Sequence, residues 1–289
     1  MTRIKILMDS GGDVPQHLLE QYDITIVPLT IIVDEKEYTD FYELSRQQYF
    51  ELLAGCKEVP RTSQPNPHTF LQYFRKFEAD YDEIIYIGMS SNGSGTYQSG
   101  CIAIQDYEQQ DPKAKIFPFD TWNATMGIGY FAIQAARLRE QGLGSAEIIE
   151  RLTELRQRFA SYMIPETMEY LKKGGRVNTV TSIIGGLLDI RPVITICEGW
   201  GRNYGKVRGA RQAVARLAQL FEKQHADLEA YISHCNNLAR AQELAALLRQ
   251  KFADICIEIT EMGPVLSTHA GPGTIGLHFL RKDTHTLTT

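Results

Sequence analysis

The chain has 289 residues, 43% hydrophobic and 22% charged, enough for one large or two modest globular domains with a sizeable core. A net charge of −5 argues against a nucleic-acid partner, since phosphate binding selects basic faces, and no run reaches the roughly 18 apolar residues that cross a bilayer. Five scattered cysteines without a CxxC pair predict reduced thiols and no metal site, and the opening MTRIKILMDSGG lacks a signal-peptide pattern, so the expectation is a cytoplasmic protein.

In chain order, strands alternate with helices. IKILMDS (4–10), ITIVPLTII (24–32), IIYIG (84–88) and KIFPF (115–119) are short runs mostly free of charge, as in a parallel sheet covered on both faces. Phe70, Leu71, Phe74 and Phe77 form one helical stripe, with Asn66 as its N-cap and Pro67 at the first position. Helices are predicted over 125–140 and 145–160, separated by QGLGS. Beyond them the pattern predicts a short helix ending at Gly174, a strand at 190–197, and helices in GARQAVARLAQLFEKQ and NLARAQELAALLRQKF. DLEAYISH, DICIEIT and GTIGLHFL (273–280) read as strands. The fold class is therefore α/β, with a mostly parallel sheet in an N-terminal domain (1–160) and a second α/β domain (161–289). A cleft between two such lobes is where a ligand is expected.

Four loops share one character: small, hydroxyl-bearing, rich in glycine and next to a strand or helix end. They are MDSGGD (8–13), RTSQPNP (61–67), SSNGSGTYQS (90–99) and THAGPGTIG (268–276). Helix N-termini beyond the carboxyl ends of parallel strands present unpaired N–H groups. Around SGT (94–96), Gly93 and Gly95 permit close backbone approach, while Ser94 and Thr96 supply O–H donors. Such loops suit a small anion held by hydroxyls and amides, although the same residues serve as ordinary caps and turns. His269 beside the Gly-Pro-Gly turn can donate to a carboxylate. GMSSN (88–92) fails the nucleophile-elbow pattern at its last position, no P-loop is present, and GPGTIG (271–276) has no βαβ unit after it.

Charge is uneven: residues 1–160 carry a net −8 and residues 161–289 a net +3. Lys172, Lys173, Arg176, Arg191, Arg202, Lys206, Arg208 and Arg211 crowd the stretch 170–211. That face either simply solvates or meets a phosphate or an acidic partner.

Taken together and in order, ILMDSGGDVP, RTSQPNP, SSNGSGTYQS, YLKKGGRV, GKVRGARQA and HAGPGTIGLHF resemble the signature segments of the DegV family. The resemblance spans nearly the whole chain. It implies a two-lobed α/β fold with a long-chain fatty acid between the lobes and no cofactor. It implies a carboxylate held by Thr62 and Ser94, with Ser63, Gly95 and Thr96 adjacent and His269 in the surrounding polar network. Arg176 and Arg208 are implied in engaging phosphate or a kinase partner. Family members called FakB proteins present the acid to a separate ATP-dependent kinase that makes acyl phosphate. The implied protein is thus a lipid carrier without catalytic residues of its own, open to transient contact with a membrane surface. Gly93 replaces a usual bulky apolar residue and Gly100 a common alanine.

Candidate tail contacts are Met126, Ile128, Phe131, Met163 and IIGGLL (183–188), positions that equally suit ordinary core. Two other readings stay open. One is a serine acyl hydrolase or acyltransferase using Ser94 with His269 as base; the other is a binder of small phosphorylated metabolites.

Overall fold

The computed structural model describes residues 2–113, 115–176 and 190–283; the predicted tail segment IIGGLL lies outside them. The chain opens with β1 (Ile4–Asp9), α1 (Gln16–Gln21), β2 (Ile24–Val27), β3 (Thr30–Val33) and β4 (Lys36–Thr39). It continues through α2 (Arg46–Gly55), β5 (Arg61–Ser63), α3 (Pro67–Phe77), β6 (Glu83–Gly88), α4 (Thr96–Gln110) and β7 (Ile116–Asp120). Strands β2, β1, β6 and β7 form a parallel sheet in that order.

Both faces of this sheet are covered, which is why its strands read as nearly unbroken apolar runs. Ile6 and Met8 of β1 pack on one side, beneath α5 (Met126–Glu140) and α6 (Ser145–Arg158). Leu7 points to the other side, against Phe70 and Phe74 of α3 and Ala103 of α4. Asn66 caps α3 through Thr69 N–H at 2.9 Å, with Pro67 next in line. Pro118 sits in edge strand β7, where its missing N–H leaves no gap in the ladder.

The second sheet is mixed, in the order β10-β9-β8-β13-β11-β12. Its strands are β8 (Phe159–Ile164), β9 (Ile190–Cys197), β10 (Trp200–Arg208), β11 (Glu229–His234), β12 (Cys256–Glu261) and β13 (Ile275–Leu280). The short helix α7 (Glu169–Lys173) follows β8. Helices α8 (Gly209–Gln224) and α9 (Leu238–Lys251) cover one face, burying Tyr162, Val193, Ile232 and Leu277. The opposite face turns inward. Phe159 stacks on Tyr130 of α5 with ring centroids 4.3 Å apart, and Tyr231 meets the same ring edge-on. Between these aromatics and the apolar Met163, Ile194 and Ile196 lies a polar knot. His278 is wholly buried, with Nδ1 2.9 Å from Ser161 Oγ and Nε2 2.8 Å from Ser233 Oγ. Ser161 in turn donates to Asn123 Oδ1 at 2.6 Å.

Three departures from the sequence reading have clear causes. The predicted strand 24–32 is two strands divided at Pro28 and Leu29: β2 joins the parallel sheet, while β3 pairs antiparallel with β4 and β5. The break is held by Leu29 N–H donating to Ser10 Oγ at 3.0 Å. The helix predicted to run to residue 160 stops at Arg158, and β8 begins at once, with no Gly or Pro to mark the change. Strand β10 was missed because its sequence is polar and basic, as suits a sheet edge.

Gly100 is required by packing. A Cβ there would stand 2.5 Å from Cε1 of the fully buried Tyr86. Valine in place of glycine offers back a few tenths of a kcal/mol of helix propensity, whereas overpacking costs about 1–3 kcal/mol. Gly100→Val is expected to be destabilised by the difference; a denaturant midpoint at or above wild type would contradict this packing account.

Candidate functional site

The loops that leave the carboxyl ends of β6 and β7 meet the inner face of the second sheet around a cavity. Its unfilled space is about 1050 Å³ including the open mouth. Leu29, Met89, Met163, Ile194, Ile196, Met262, Val265 and Leu266 make most of the wall apolar. Polar groups are few: Thr62, Ser90, Ser94, Asn123, Thr125, Arg176, His269 and Thr274. The arrangement suits a long apolar body that carries one polar end.

Thr62 lies on β5, paired with Ile31 of β3. Its Oγ1 is 2.9 Å from Nε2 of His269, which sits in the last turn of α10 (Pro264–Ala270). That helix is pinned at both ends. Gly263 N–H, at its start, donates to buried Asp13 at 2.7 Å, and Tyr49 of α2 meets Thr268 Oγ1 at 2.8 Å. Desolvation first, and then the Arg176 charge, push His269 down to about 4, so the ring is neutral near pH 7.

Ser94 belongs to the turn between β6 and α4. Its N–H donates to Ser90 O at 3.1 Å. Its Oγ accepts from Thr96 N–H at 3.2 Å and lies 2.8 Å from Thr96 Oγ1. The turn is held from below by Asp9, wholly buried at the end of β1. Asp9 accepts from Met89 N–H at 2.7 Å, Gly11 N–H at 3.1 Å and Tyr86 O–H at 3.3 Å. Burial outweighs these bonds and raises its carboxyl to about 7. From the side, Ser99 O–H donates to Pro65 O at 2.6 Å. Gly95 lies so close to Gln64 that a Cβ would fall on its amide oxygen. From above, the β9–β10 turn closes over the loop. Ser90 O–H donates to Gly199 O at 2.8 Å and Asn92 Nδ2 to Glu198 O at 2.9 Å. Glu198 and Gly199 both have positive φ, the backbone of a tight two-residue hairpin.

The structure thus brings Thr62, Ser94, Arg176 and His269 to one cavity. Thr96 is buried behind Ser94, while Ser63 and Gly95 are exposed beside the two loops. Arg208 is exposed at the junction of β10 and α8, away from the lining. Of the described candidate tail contacts only Met163 lines the cavity; Met126, Ile128 and Phe131 fill the core around α5. Sequence reading missed Asn123 and Thr125. Their segment DTWNAT follows β7 and has the same small, hydroxyl-bearing character as the loops that were singled out. It also missed the β9–β10 turn, which carries no such signal.

This is a three-sheet α/β fold whose cavity is greasy except at a cluster of hydroxyls, one amide, one neutral histidine and Arg176. The family described as "Uncharacterised protein, DegV family" matches residues 3–282, and the chain belongs to the DegV family. A DegV domain-containing protein of Caldanaerobacter subterraneus is 32% identical over 285 residues, 98% of this chain and 100% of that one. The crystal structure of a DegV lipid binding protein from Thermotoga maritima is similar with a TM-score of 0.86 at 30% identity, covering 98% of this chain and 100% of that chain. The Streptococcus pneumoniae fatty acid kinase (Fak) B3 protein loaded with linoleic acid is similar with a TM-score of 0.83 at 25% identity, covering 97% and 99%.

The low His269 pKa has a consequence for stability. Between about pH 6.5 and 4 the unfolded chain binds a proton at this residue that the folded chain refuses. Its contribution to stability is therefore present above pH 6.5 and lost as pH falls towards 4. His269→Gln should flatten that part of the stability–pH curve, by up to about 1.4 kcal/mol per pH unit. Identical slopes for the two proteins in denaturant titrations at pH 7, 6 and 5 would contradict the assignment.

Proposed function

We propose that this protein binds a long-chain fatty acid in the cavity, with its carboxylate at Thr62 and Ser94, and presents it to a separate ATP-dependent fatty acid kinase. The observation that carries the reading is an apolar cavity whose few polar side chains include a hydroxyl pair braced by Thr96 and His269. Burying a long tail is worth roughly 0.8 kcal/mol per CH₂, on the order of 10 kcal/mol in all as an upper bound. A carboxylate resists burial unless hydrogen-bonded, and hydroxyls with nearby amides meet that need. Ser63, Gly95 and Thr96 then serve as the frame of the head-group site.

Arg176 at the cavity and Arg208 at the exposed end of edge strand β10 are the proposed contacts for phosphate or an acidic kinase surface. A carrier read by an ATP-dependent kinase belongs in the cytoplasm. Among the described residues no helix is long and apolar enough to cross a membrane. We further propose that the chain divides into units 1–160 and 161–289, with the ligand between them. The hydrolase reading finds less support. Ser94 pairs with Thr96, His269 Nε2 with Thr62, and no carboxylate orients His269 Nδ1 among the described residues.

Protein purified from cells and extracted under denaturing conditions should release fatty acid, detected by mass spectrometry at near one equivalent. Thr62→Ala with Ser94→Ala should cut that content at least tenfold with the thermal transition still cooperative; unchanged lipid would sink the site. Gly93 lines the cavity, and a Cβ there would meet nothing closer than Ser90 O at 3.7 Å. Gly93→Leu is therefore expected to fold and to shift the co-purified lipids towards shorter chains. An unaltered chain-length profile would remove Gly93 from the list of size determinants.

A further inference from the structure

Two adjacent glycines follow β1, and each lies under a methionine. A Cβ on Gly12 would fall on Sδ of Met8, and one on Gly11 would fall on Cε of Met89. The two methionines differ in what else surrounds them. Met8 is wholly buried in the core, whereas Met89 borders the cavity beside Leu266, whose Cδ2 would stand 3.4 Å from a Gly11 Cβ. The backbone does not require glycine at residue 11, since its φ is not positive, and an alanine would keep the N–H that donates to Asp9. What the missing side chain provides is a recess that receives the Met89 methyl. Methionine is unbranched, with three rotatable side-chain bonds, so that methyl can lie in the recess or swing into neighbouring space. The core around it is close-packed, and the unfilled space beside Met89 is the cavity.

We propose that Gly11 and Met89 determine which acyl chains the cavity accepts: with the Met89 methyl in the Gly11 recess, the wall leaves width for a chain bent by a cis double bond. The inference rests on the fatty-acid reading of the cavity and deepens it from the head group to the tail. Ile194 and Ile196 of β9 face the same cavity, but they branch at Cβ and are stiff at χ1, so they cannot give way as Met89 can. Met163 also lines it, yet a Cβ on the neighbouring Gly276 would meet Met163 Cγ at 3.4 Å, an ordinary contact that leaves no comparable recess. A bent chain sweeps a wider path than a straight one of equal carbon number, so it is refused first when the wall moves inward. An alanine at residue 11 would fill the recess and turn the Met89 methyl into the cavity. One methylene too many in an apolar pocket shifts selection by about tenfold or more. A Cβ on Gly11 would also crowd Asp9 Oδ1 at 3.0 Å. Shortening Met89 cannot relieve that second contact, which separates the two effects.

The test uses the full chain stripped of lipid, with stearate and oleate as probes, acids of equal carbon number that differ in one cis double bond. Gly11→Ala should bind oleate about tenfold more weakly than wild type, or worse, and lose no more than about threefold for stearate. Gly11→Ala combined with Met89→Ala should regain oleate to within a few-fold of wild type. Met89→Ile, which keeps the bulk but cannot reach the recess, should discriminate against oleate in the same way and decides the matter if Gly11→Ala does not fold. Oleate bound as in wild type by Gly11→Ala or by Met89→Ile, equal losses of both acids, or no recovery in the double variant would each overturn the proposal. Failure of wild type to bind either acid would refute the proposed function instead, while the methionine-methyl spectrum of the free protein still shows whether Gly11→Ala displaces Met89.

Discussion

A hydroxyl and a ring nitrogen 2.9 Å apart, from residues 207 positions apart in the chain, fasten the small antiparallel sheet to α10 at the wall of the cavity. Much of the surrounding structure serves to hold that pair in place. β5 can present Thr62 only because the chain breaks at Pro28 and sends β3 into a separate sheet to receive it. α10 can present His269 only because Asp13 fixes its start and Tyr49 its end. Both anchors are buried and come from the first half of the chain, so the second sheet's contribution to the cavity depends on contacts made by the first.

One physical term dominates the titration of the groups buried around the cavity. Desolvation leads the causes that move His269 and His278 downward and Asp9 and Asp13 upward. Arg176 is the one cationic side chain among the described residues of the lining. Asp9 shows how a costly burial earns its place: three donors converge on it, and one of them, Met89 N–H, fixes the residue from which the Ser90–Thr96 turn departs. A lost carboxylate there leaves those donors unpaired, a mechanism that typically costs 1–3 kcal/mol per group. The Ser90–Thr96 turn therefore inherits its rigidity from a residue that is not part of the cavity lining.

The parallel sheet and its helices were legible because each obeys a local rule. Apolar runs mark strands covered on both faces, and Asn66-Pro67 marks a helix start. The loops that carry Thr62, Ser94 and His269 were legible as a set, because small hydroxyl-bearing residues at strand ends are conspicuous when several occur in one chain. What was not legible depended on distant partners. β8 follows α6 without a break, since Phe159, Ser161 and Met163 take their alternation from a sheet assembled out of residues as distant as Leu280, the partner of Phe159. β10 is polar because it is an edge, and its tip reaches the cavity through two bonds to Ser90 and Asn92 that no spacing rule announces. Met126, Ile128 and Phe131 have the composition of a lipid tunnel, yet they pack core, because periodicity cannot tell a wall that faces a cavity from one that faces a helix. His269 was read as a loop residue, whereas it closes a short helix begun by Pro264.

On the proposed reading, the choice of hydroxyls over a cationic clamp follows from how free energy divides between tail and head. With the tail contributing on the order of 10 kcal/mol at most, the head group has little need to add affinity; its task is orientation. A bidentate arginine would add a charge-assisted pair worth several times a neutral hydrogen bond, and every 1.4 kcal/mol lengthens retention about tenfold if the on-rate is unchanged. It would also draw electron density from an oxygen that must attack a phosphoryl group. Thr62 and Ser94, each braced from behind by a neutral partner, give direction without that charge. Arg176, whose guanidinium donates to the Gly174 carbonyl rather than to the hydroxyl pair, is left to the proposed contact with what arrives from outside. A carrier must hold its cargo firmly by the part that does not react and lightly by the part that does, and the division between greasy wall and hydroxyl cluster meets both demands.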